Sequence, residues 1–458
     1  MRMRKLTIGD VISAVGGEAI GCADALDIRI EQITLDSRTA GPGSLFVAIV
    51  GSRSDGHDYV RGCFETGAVC CLVEREIPAP GGPCILVSST LQAIRDLAAF
   101  YRGLFDDIPF IGITGSVGKT TTKQMISSVL AQKFNVHHTE GNLNNEIGVP
   151  ITIFGLREGH EAAVIEMGIS DFGEMDRLSR MVRPDIAVIT VIGHAHLENL
   201  GSREGVLRAK SEIFNHMPLE GTAILCGDDD LLAKLQVAQR KFRYGLDSSN
   251  AVRAENISSL GIRGTALDIV ADSVRFPAEI PAFGSHMVYA ALAAASVGLA
   301  LGLLPNEIAA GIAGFKNVGN RADIRNTGFL TYIDDCYNAN PDSMGAALHS
   351  LSELPGRRVA VLGDMGELGA ESGALHREVG RFAAALGIDC LLSAGKLAEQ
   401  IYQGFKEQSA AQEAWYFPDR EELALTLPQL LRRGDAVLVK ASRFMQFEKL
   451  IPVVQGLK

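Results

Sequence analysis

A chain of 458 residues, 47% hydrophobic and 21% charged, has the composition of a globular protein and the length of roughly three domains. Its net charge of −11 argues against a protein that coats nucleic acid, though not against an anionic small molecule, whose binding local basic clusters decide. The eight cysteines include no C-x-x-C pair and sit mostly in apolar runs, so they read as free buried thiols of a reducing compartment rather than disulfides or zinc ligands.

The basic start, Met1 to Lys5, is followed by no apolar core with a small-residue cleavage site, and no signal peptide is expected. Residues 1–88 hold short strand-like runs, Ile28–Leu35, Ser44–Val50 and Ala68–Val73, punctuated by Gly and Pro. Pro78-Ala79-Pro80-Gly81-Gly82-Pro83 is the strongest loop signal and marks a first boundary or a loop just before it. Between 89 and 320, candidate strands Phe110–Thr114, Ala162–Glu166, Ile186–Ile192 and Thr222–Cys226 alternate with helical patterns. That alternation predicts a parallel sheet with helices on both faces. An uncharged stretch, Met287 to Leu304, is rich in Ala and Gly and reads as a buried helix rather than a membrane span. From 321 to 458 the alternation restarts, with strands at Leu330–Asp334, Val359–Leu362, Cys390–Ser393 and Ala436–Val439 and helices at His376–Leu386 and Arg420–Leu431. A second, smaller doubly wound domain is expected there.

The strand-turn-helix run from Ile111 to Lys133 carries the layout of a phosphate-binding loop. Gly115-Ser116-Val117-Gly118-Lys119-Thr120 lets backbone N–H groups close on phosphate oxygens, and the helix N-terminus adds partial positive charge. Lys119 would reach the β/γ-phosphates and the Thr120 hydroxyl would hold Mg²⁺. The loop is shorter than the common G-x-x-x-x-G-K-[ST], which would need Gly at the place of Ile113. Glu166 ends a strand, where ligands gather in open α/β sheets, and a carboxylate there is a natural Mg²⁺ ligand. His194 and His196 follow the next strand. On an extended segment they would point opposite ways, leaving one to bind and one to pack. A lone imidazole among oxygen ligands suits Mg²⁺ or Mn²⁺ better than zinc. Asn142, Asn144 and Asn145 crowd one short loop that could offer amides to phosphate or substrate.

Taken together, these blocks resemble the Mur ligases, the ATP-dependent amide-forming family of bacterial cell-wall synthesis. Thr114 to Thr120 is similar to that family's own short loop, T-G-x-x-G-K-T. Asp36-Ser37-Arg38, Gly43 to Ala48 and Asp55-Gly56-His57-Asp58 resemble its N-terminal domain, and Gly141 to Pro150 its G-N-x-N-N-x-x-G-x-P block. Glu166-Met167-Gly168 and His194 to Glu198 resemble its metal-binding segments, and Ala209 to Phe214 the segment bearing its carbamylated lysine, here Lys210. Asp334 to Pro341 and Gly363 to Gly369 resemble its C-terminal signatures.

The resemblance implies an α/β protein of three domains: a small α/β domain at 1–88 for a UDP-sugar, a central phosphate-loop ATPase domain at 89–320, and a Rossmann-like domain at 321–458 for the attacking amine. It implies ATP, two Mg²⁺ ions and a carbamate on Lys210. Lys119, Lys210 and His196 would be catalytic, and Thr120, Glu166 and His196 would bind metal. Gly115 to Thr121, Asn142, Asn145, His286, Arg321 and Asp335 would bind nucleotide. Ser37, Arg38, Asp55 and His57 would bind the UDP-sugar, and Asn338, Asn340 and Ser442 the amine substrate. The C-terminal blocks fit the members that add the dipeptide D-alanyl-D-alanine to UDP-N-acetylmuramoyl-tripeptide, and no D-N-P-R motif of the diaminopimelate-adding members is found. A monomer in the bacterial cytoplasm is expected, with no nucleic acid and no membrane insertion.

The chain departs from the family pattern in three places. Arg321 follows Gly319-Asn320 where Gly-Arg is usual. Met287 and Ala290 stand where two asparagines would face adenine, so side-chain amide contacts to the base are lost. Ala441 replaces the glycine of Lys-Gly-Ser-Arg. The alternatives are another Mur ligase adding a single amino acid, folylpolyglutamate synthase, a P-loop kinase and a nucleotide switch.

Overall fold

The structure, a computed structural model, describes residues 2–22, 24–52, 54–272, 274–317, 322–409 and 411–457. Among these, three β-sheets follow one another along the chain. The first has five strands in the order Glu18–Ile20, Cys84–Leu86, Cys70–Val73, Ser44–Val47 and Gln32–Thr34; only the outer Glu18–Ile20 runs antiparallel. The expected strands near 28–35, 44–50 and 68–73 are present but shorter.

The second sheet has nine strands. Phe110–Thr114 lies at its centre, between Ile186–Ile189 and Ala162–Glu166, with Val136–His138 at one edge. On the other side come Thr222–Cys226, Arg240–Gly245, Val252–Ser259, Thr265–Ala271 and Val274–Ile280. The last two are joined by antiparallel pairings, with Thr265–Ala271 running against the other strands, so the sheet is mixed rather than wholly parallel as the sequence pattern predicts. The physical reason is visible in Val274–Ile280, whose residues alternate between exposed and buried. An antiparallel extension can keep one face in water, so it lacks the continuous apolar run that marks a central parallel strand. Along this edge strand, Arg275 and Glu279 are exposed and Pro277 supplies no N–H.

The third sheet, in the order Asp323–Asn326, Thr331–Asp334, Ala436–Lys440, Arg358–Gly363, Cys390–Ala394 and Glu413–Phe417, is parallel apart from its first strand. Its four central strands are those expected from the sequence; Asp323–Asn326 and Glu413–Phe417, with polar or exposed alternate residues, are additions.

The helix Thr90–Gly103 joins the first two sheets and is pinned to the second. Tyr101 is buried and donates to the Leu156 carbonyl at 2.9 Å. The Arg102 guanidinium lies 4.0 Å from the centre of the Phe110 ring and donates to the Val182 carbonyl at 2.9 Å. All eight cysteines are free and buried, as the sequence suggests.

The stretch expected to be a buried helix forms His286–Ala300, packed against the helix Lys119–Leu130. No described helix is long and apolar enough to cross a membrane. Small side chains permit the close approach of the two helices: a Cβ on Gly298 would sit 3.1 Å from Val129 Cγ1. Ala294, one turn earlier, is fully buried. Ala294→Leu would therefore overpack the site and destabilise the protein by about 1–3 kcal/mol, read as a lower urea midpoint.

Candidate active site

Phe110–Thr114 is buried along its whole length and delivers the loop to the carboxyl end of the second sheet. Gly115 has φ +149°, and a Cβ there would collide with Thr190 Oγ1. Gly118, at φ +83°, precedes the helix Lys119–Leu130. The neighbouring strand end holds the loop in shape: Ser116 N–H donates to the Val191 carbonyl at 2.8 Å, and Thr190 Oγ1 to the Val117 carbonyl at 2.6 Å. Lys119 Nζ donates back to the Gly115 carbonyl at 2.8 Å.

Behind the loop lies Glu166, only 1% exposed. Its carboxylate accepts from Thr120 Oγ1 at 2.9 and 3.0 Å and from Asn144 Nδ2 at 2.8 Å. Lys123 Nζ lies 3.8 Å from Oε2 and donates to the Thr139 carbonyl at 2.7 Å. Asn144 is among the loop amides named from sequence, whereas Lys123 is not singled out there as a site residue. Lys123 could have been found from its place three residues after Thr120, on the same helix face. Asn142, expected to bind nucleotide, is instead exposed and caps a turn through its carbonyl, which accepts from Asn144 N–H at 2.8 Å. Three asparagines within four residues look alike in sequence, and only the turn decides which one faces the carboxylate.

Gly193 to Glu198 reaches the third sheet's domain. His194 donates from its backbone N–H to Asp342 Oδ2 at 2.7 Å, and its Nδ1 lies 3.1 Å from Oδ1. His196 Nδ1 lies 2.6 Å from Glu367 Oε2, buried against it without the alignment of a hydrogen bond. The segment is not extended, as the alternation argument assumed: His196 has φ +61° and precedes the short helix Leu197–Leu200. The two rings do meet different partners. The His196 ring beside Glu367 holds that carboxyl below its ordinary range.

Lys210, in the last turn of the helix Arg203–Ser211, is 1% exposed. No ion pair or hydrogen bond reaches its Nζ among the described residues. Burial first, and then the Lys119 charge, push its pKa well below that of an ordinary lysine, against the pull of Glu174.

A cleft of about 610 Å³ opens between the second and third sheets. The central domain contributes Ser116, Val117, Gly118, Lys119, Thr121, Asn144, Asn145, Glu166, His196, His286 and Met287 to its walls. Asp335, Asn338, Asn340 and Lys440 face them from the C-terminal domain. Lys440 Nζ lies 2.5 Å from Asp335 Oδ2 and 2.9 Å from the Asn338 carbonyl. His286 Nδ1 is buried with no hydrogen-bond partner among the described residues, and burial lowers the pKa of the ring.

Other expected residues lie elsewhere. Ser442 does not line the cleft: its hydroxyl accepts from Gly366 N–H at 2.8 Å and donates to the Ala339 carbonyl at 3.1 Å, which makes it a brace between two loops. His57 is buried, with Nδ1 2.6 Å from Asp55 Oδ1 and Nε2 accepting from Glu74 N–H at 2.8 Å. Both ring nitrogens are engaged inside the protein, so the ring holds its own loop rather than a ligand. Ser37, Arg38 and Asp55 belong to the first sheet's domain, where the exposed Arg38 is paired with Asp36 at 2.6 Å. Arg321 lies outside the described residues.

Among the described residues, no three His, Cys, Asp or Glu side chains gather into a metal cage. Thr120 and Glu166 still fit Mg²⁺, which usually keeps several waters and binds through one or two carboxylates and substrate phosphates.

The sequence profile of the Mur ligase middle domain matches residues 113–298. That of the family's glutamate ligase domain matches 320–443, and that of its catalytic domain 29–102. A UDP-N-acetylmuramoyl-tripeptide–D-alanyl-D-alanine ligase of Bacillus subtilis is 38% identical over 428 residues, covering 92% of each chain. The chain belongs to the Mur ligase family. Among solved structures of the family, MurF from Acinetobacter baumannii superposes with a TM-score of 0.92 at 32% identity, over 99% of this chain and 100% of that one. A MurF ligase from Thermotoga maritima in complex with ADP superposes with a TM-score of 0.83 at 29% identity, over 93% of this chain and 97% of that one. In this Mur ligase, Gly115→Ala would strain the loop backbone and drive Thr190 out of place. ADP affinity should fall at least tenfold, about 1.4 kcal/mol, by calorimetry.

Proposed function

We propose that this Mur ligase joins D-alanyl-D-alanine to UDP-N-acetylmuramoyl-tripeptide, consuming ATP and releasing ADP and phosphate. One observation carries the reading. A single cleft sets the phosphate loop and Glu166 opposite Asp335, Asn338, Asn340 and Lys440 of another domain. Such a cleft suits a reaction that must hold a nucleotide, an acyl group and an amine together.

A carboxylate is a poor electrophile. Its oxygen attacks the γ-phosphorus, ADP leaves, and an acyl phosphate results. The amine nitrogen then attacks the acyl carbon, loses a proton, and phosphate departs as the amide forms. Residues 115–121 and Lys119 hold the phosphates, so catalysis is largely positioning and electrostatics. Mg²⁺ ions, one on Thr120 and Glu166 and one on His196, would neutralise charge at the β/γ oxygens. His286, Asn145, Asp335 and Arg321 complete the nucleotide side, and Asn338 and Asn340 receive the dipeptide. Residues 1–88 hold the UDP-sugar through the loops of Ser37, Arg38 and Asp55. Residues 89–320 carry the ATP chemistry, and 321–458 bring in the dipeptide. The enzyme works as a monomer in the bacterial cytoplasm.

Lys210 takes a carbamate. A neutral amine adds CO₂ and releases a proton, leaving an anion. Its burial and depressed pKa favour the neutral amine that this step needs. The anion so formed would be drawn to the Lys119 cation.

Phosphate release from ATP and UDP-N-acetylmuramoyl-tripeptide should rise when D-alanyl-D-alanine is added. Stimulation by diaminopimelate or lysine alone would favour a sister ligase, and phosphorylated acceptor without free phosphate would point to a kinase. Lys210→Ala should be nearly inactive and partly rescued by short carboxylates. Lys210→Met should also be inactive, yet in CO₂-free buffer at neutral pH it should be at least as stable. A folded-state pKa depressed below the unfolded value costs stability as pH falls below that unfolded value, and the methionine removes this cost.

A further inference from the structure

The C-terminal domain touches the segment Gly193 to Glu198 at several points. Asp342 holds the backbone N–H and the ring of His194. It sits so close over Gly193 that a Cβ there would collide with it. Four residues after His194, Glu198 N–H donates to the Glu367 carbonyl at 3.1 Å, and the Glu367 carboxylate lies against His196 Nδ1. The backbone of the segment is thus fixed from both sides, and what is left to set is the ring of His196.

Glu367 keeps a costly conformation to do so. Its φ is +62°, in the left-handed region that favours glycine. It lies in Gly363-Asp364-Met365-Gly366-Glu367-Leu368-Gly369, a loop already rich in glycine. Its side chain is 60% exposed, so it fills no core. A strained, exposed carboxylate 2.6 Å from one ring nitrogen points to function rather than packing.

We propose that Glu367 is a positioning residue for His196. Its carboxylate lies at Nδ1 and leaves Nε2 as the nitrogen free to meet a metal ion in the cleft. Carboxylates behind a ligand histidine fix the tautomer and orientation of the ring. Here the carboxylate comes from a different domain than the histidine. The metal site is complete only while the C-terminal domain is seated, so seating and metal capture are coupled. This rests on the reading of His196 as a metal ligand.

The test uses the full chain and Glu367→Gly, Glu367→Asp and His196→Ala. Calorimetry measures ADP binding with and without Mn²⁺, phosphate release gives the Mg²⁺ requirement, and a melt reports stability. Glu367→Gly should weaken the Mn²⁺-dependent part of ADP binding, and raise half-saturating Mg²⁺, by about tenfold. Metal-free ADP affinity should stay unchanged, and the melting temperature should hold or rise because glycine relieves the left-handed backbone. Glu367→Asp should recover part of the metal effect. If His196→Ala shifts the metal dependence and Glu367→Gly does not, the positioning role is overturned alone. If neither shifts it, the ligand reading of His196 falls as well. A loss of melting temperature with no change in metal dependence would mark Glu367 as merely structural. The Mn²⁺ measurement needs neither peptide substrate, so it stands apart from the identity of the amine that is joined.

Discussion

A charge that must be kept out of water organises this site. Glu166 sits at a strand end, nearly sealed from solvent, and such a carboxylate is tolerable only when its oxygens are matched by donors. Thr120, Asn144 and Lys123 supply that matching from the phosphate helix and the neighbouring loop. Each donor is held in turn: Thr120 by the helix that the glycine turn starts, Asn144 by its turn, Lys123 by the Thr139 carbonyl. The geometry of the phosphate loop and of the carboxylate are therefore one constraint. Disturbing either disturbs both, since the loop and the strand end share the same hydrogen bonds.

Local patterns carried much of the fold. Phe110–Thr114, Ala162–Glu166 and Thr222–Cys226 are buried on both faces, and burial of that kind writes an unbroken apolar run into the chain. The strands at Thr265–Ala271 and Val274–Ile280 write a weaker signal, because polar or exposed residues interrupt their apolar runs, most of all in Val274–Ile280. In the site, the phosphate loop was legible because its glycines, lysine and threonine are neighbours in sequence. His57 and Ser442 share a feature. Each is a polar residue in a recognisable motif with a partner from elsewhere in the chain. Ser442 meets Ala339 and Gly366, and His57 meets the backbone of Glu74. No local pattern shows that a hydroxyl or a ring is already spoken for.

Lys210 illustrates how far function can run against stability. A buried ammonium without a paired carboxylate is among the least favourable arrangements a protein interior can hold. Burial pushes the pKa of this lysine well below its ordinary value, which favours the neutral amine. Stability and reactivity are here opposite readings of one desolvation effect.

The nine-stranded sheet ends in two open edges, and how it ends bears on life in a crowded cell. Exposed strand edges invite pairing with another chain and, through it, aggregation. One edge, Val136–His138, is only three residues long. The other, Val274–Ile280, is longer, but it carries a proline without an N–H, flanked by an exposed arginine and an exposed glutamate. A stray strand docking there would meet a gap in its ladder and charges of both signs. The extension that broke the parallel pattern thus also closes the sheet to further growth, and a large α/β domain gains a guard against sticking to its own copies.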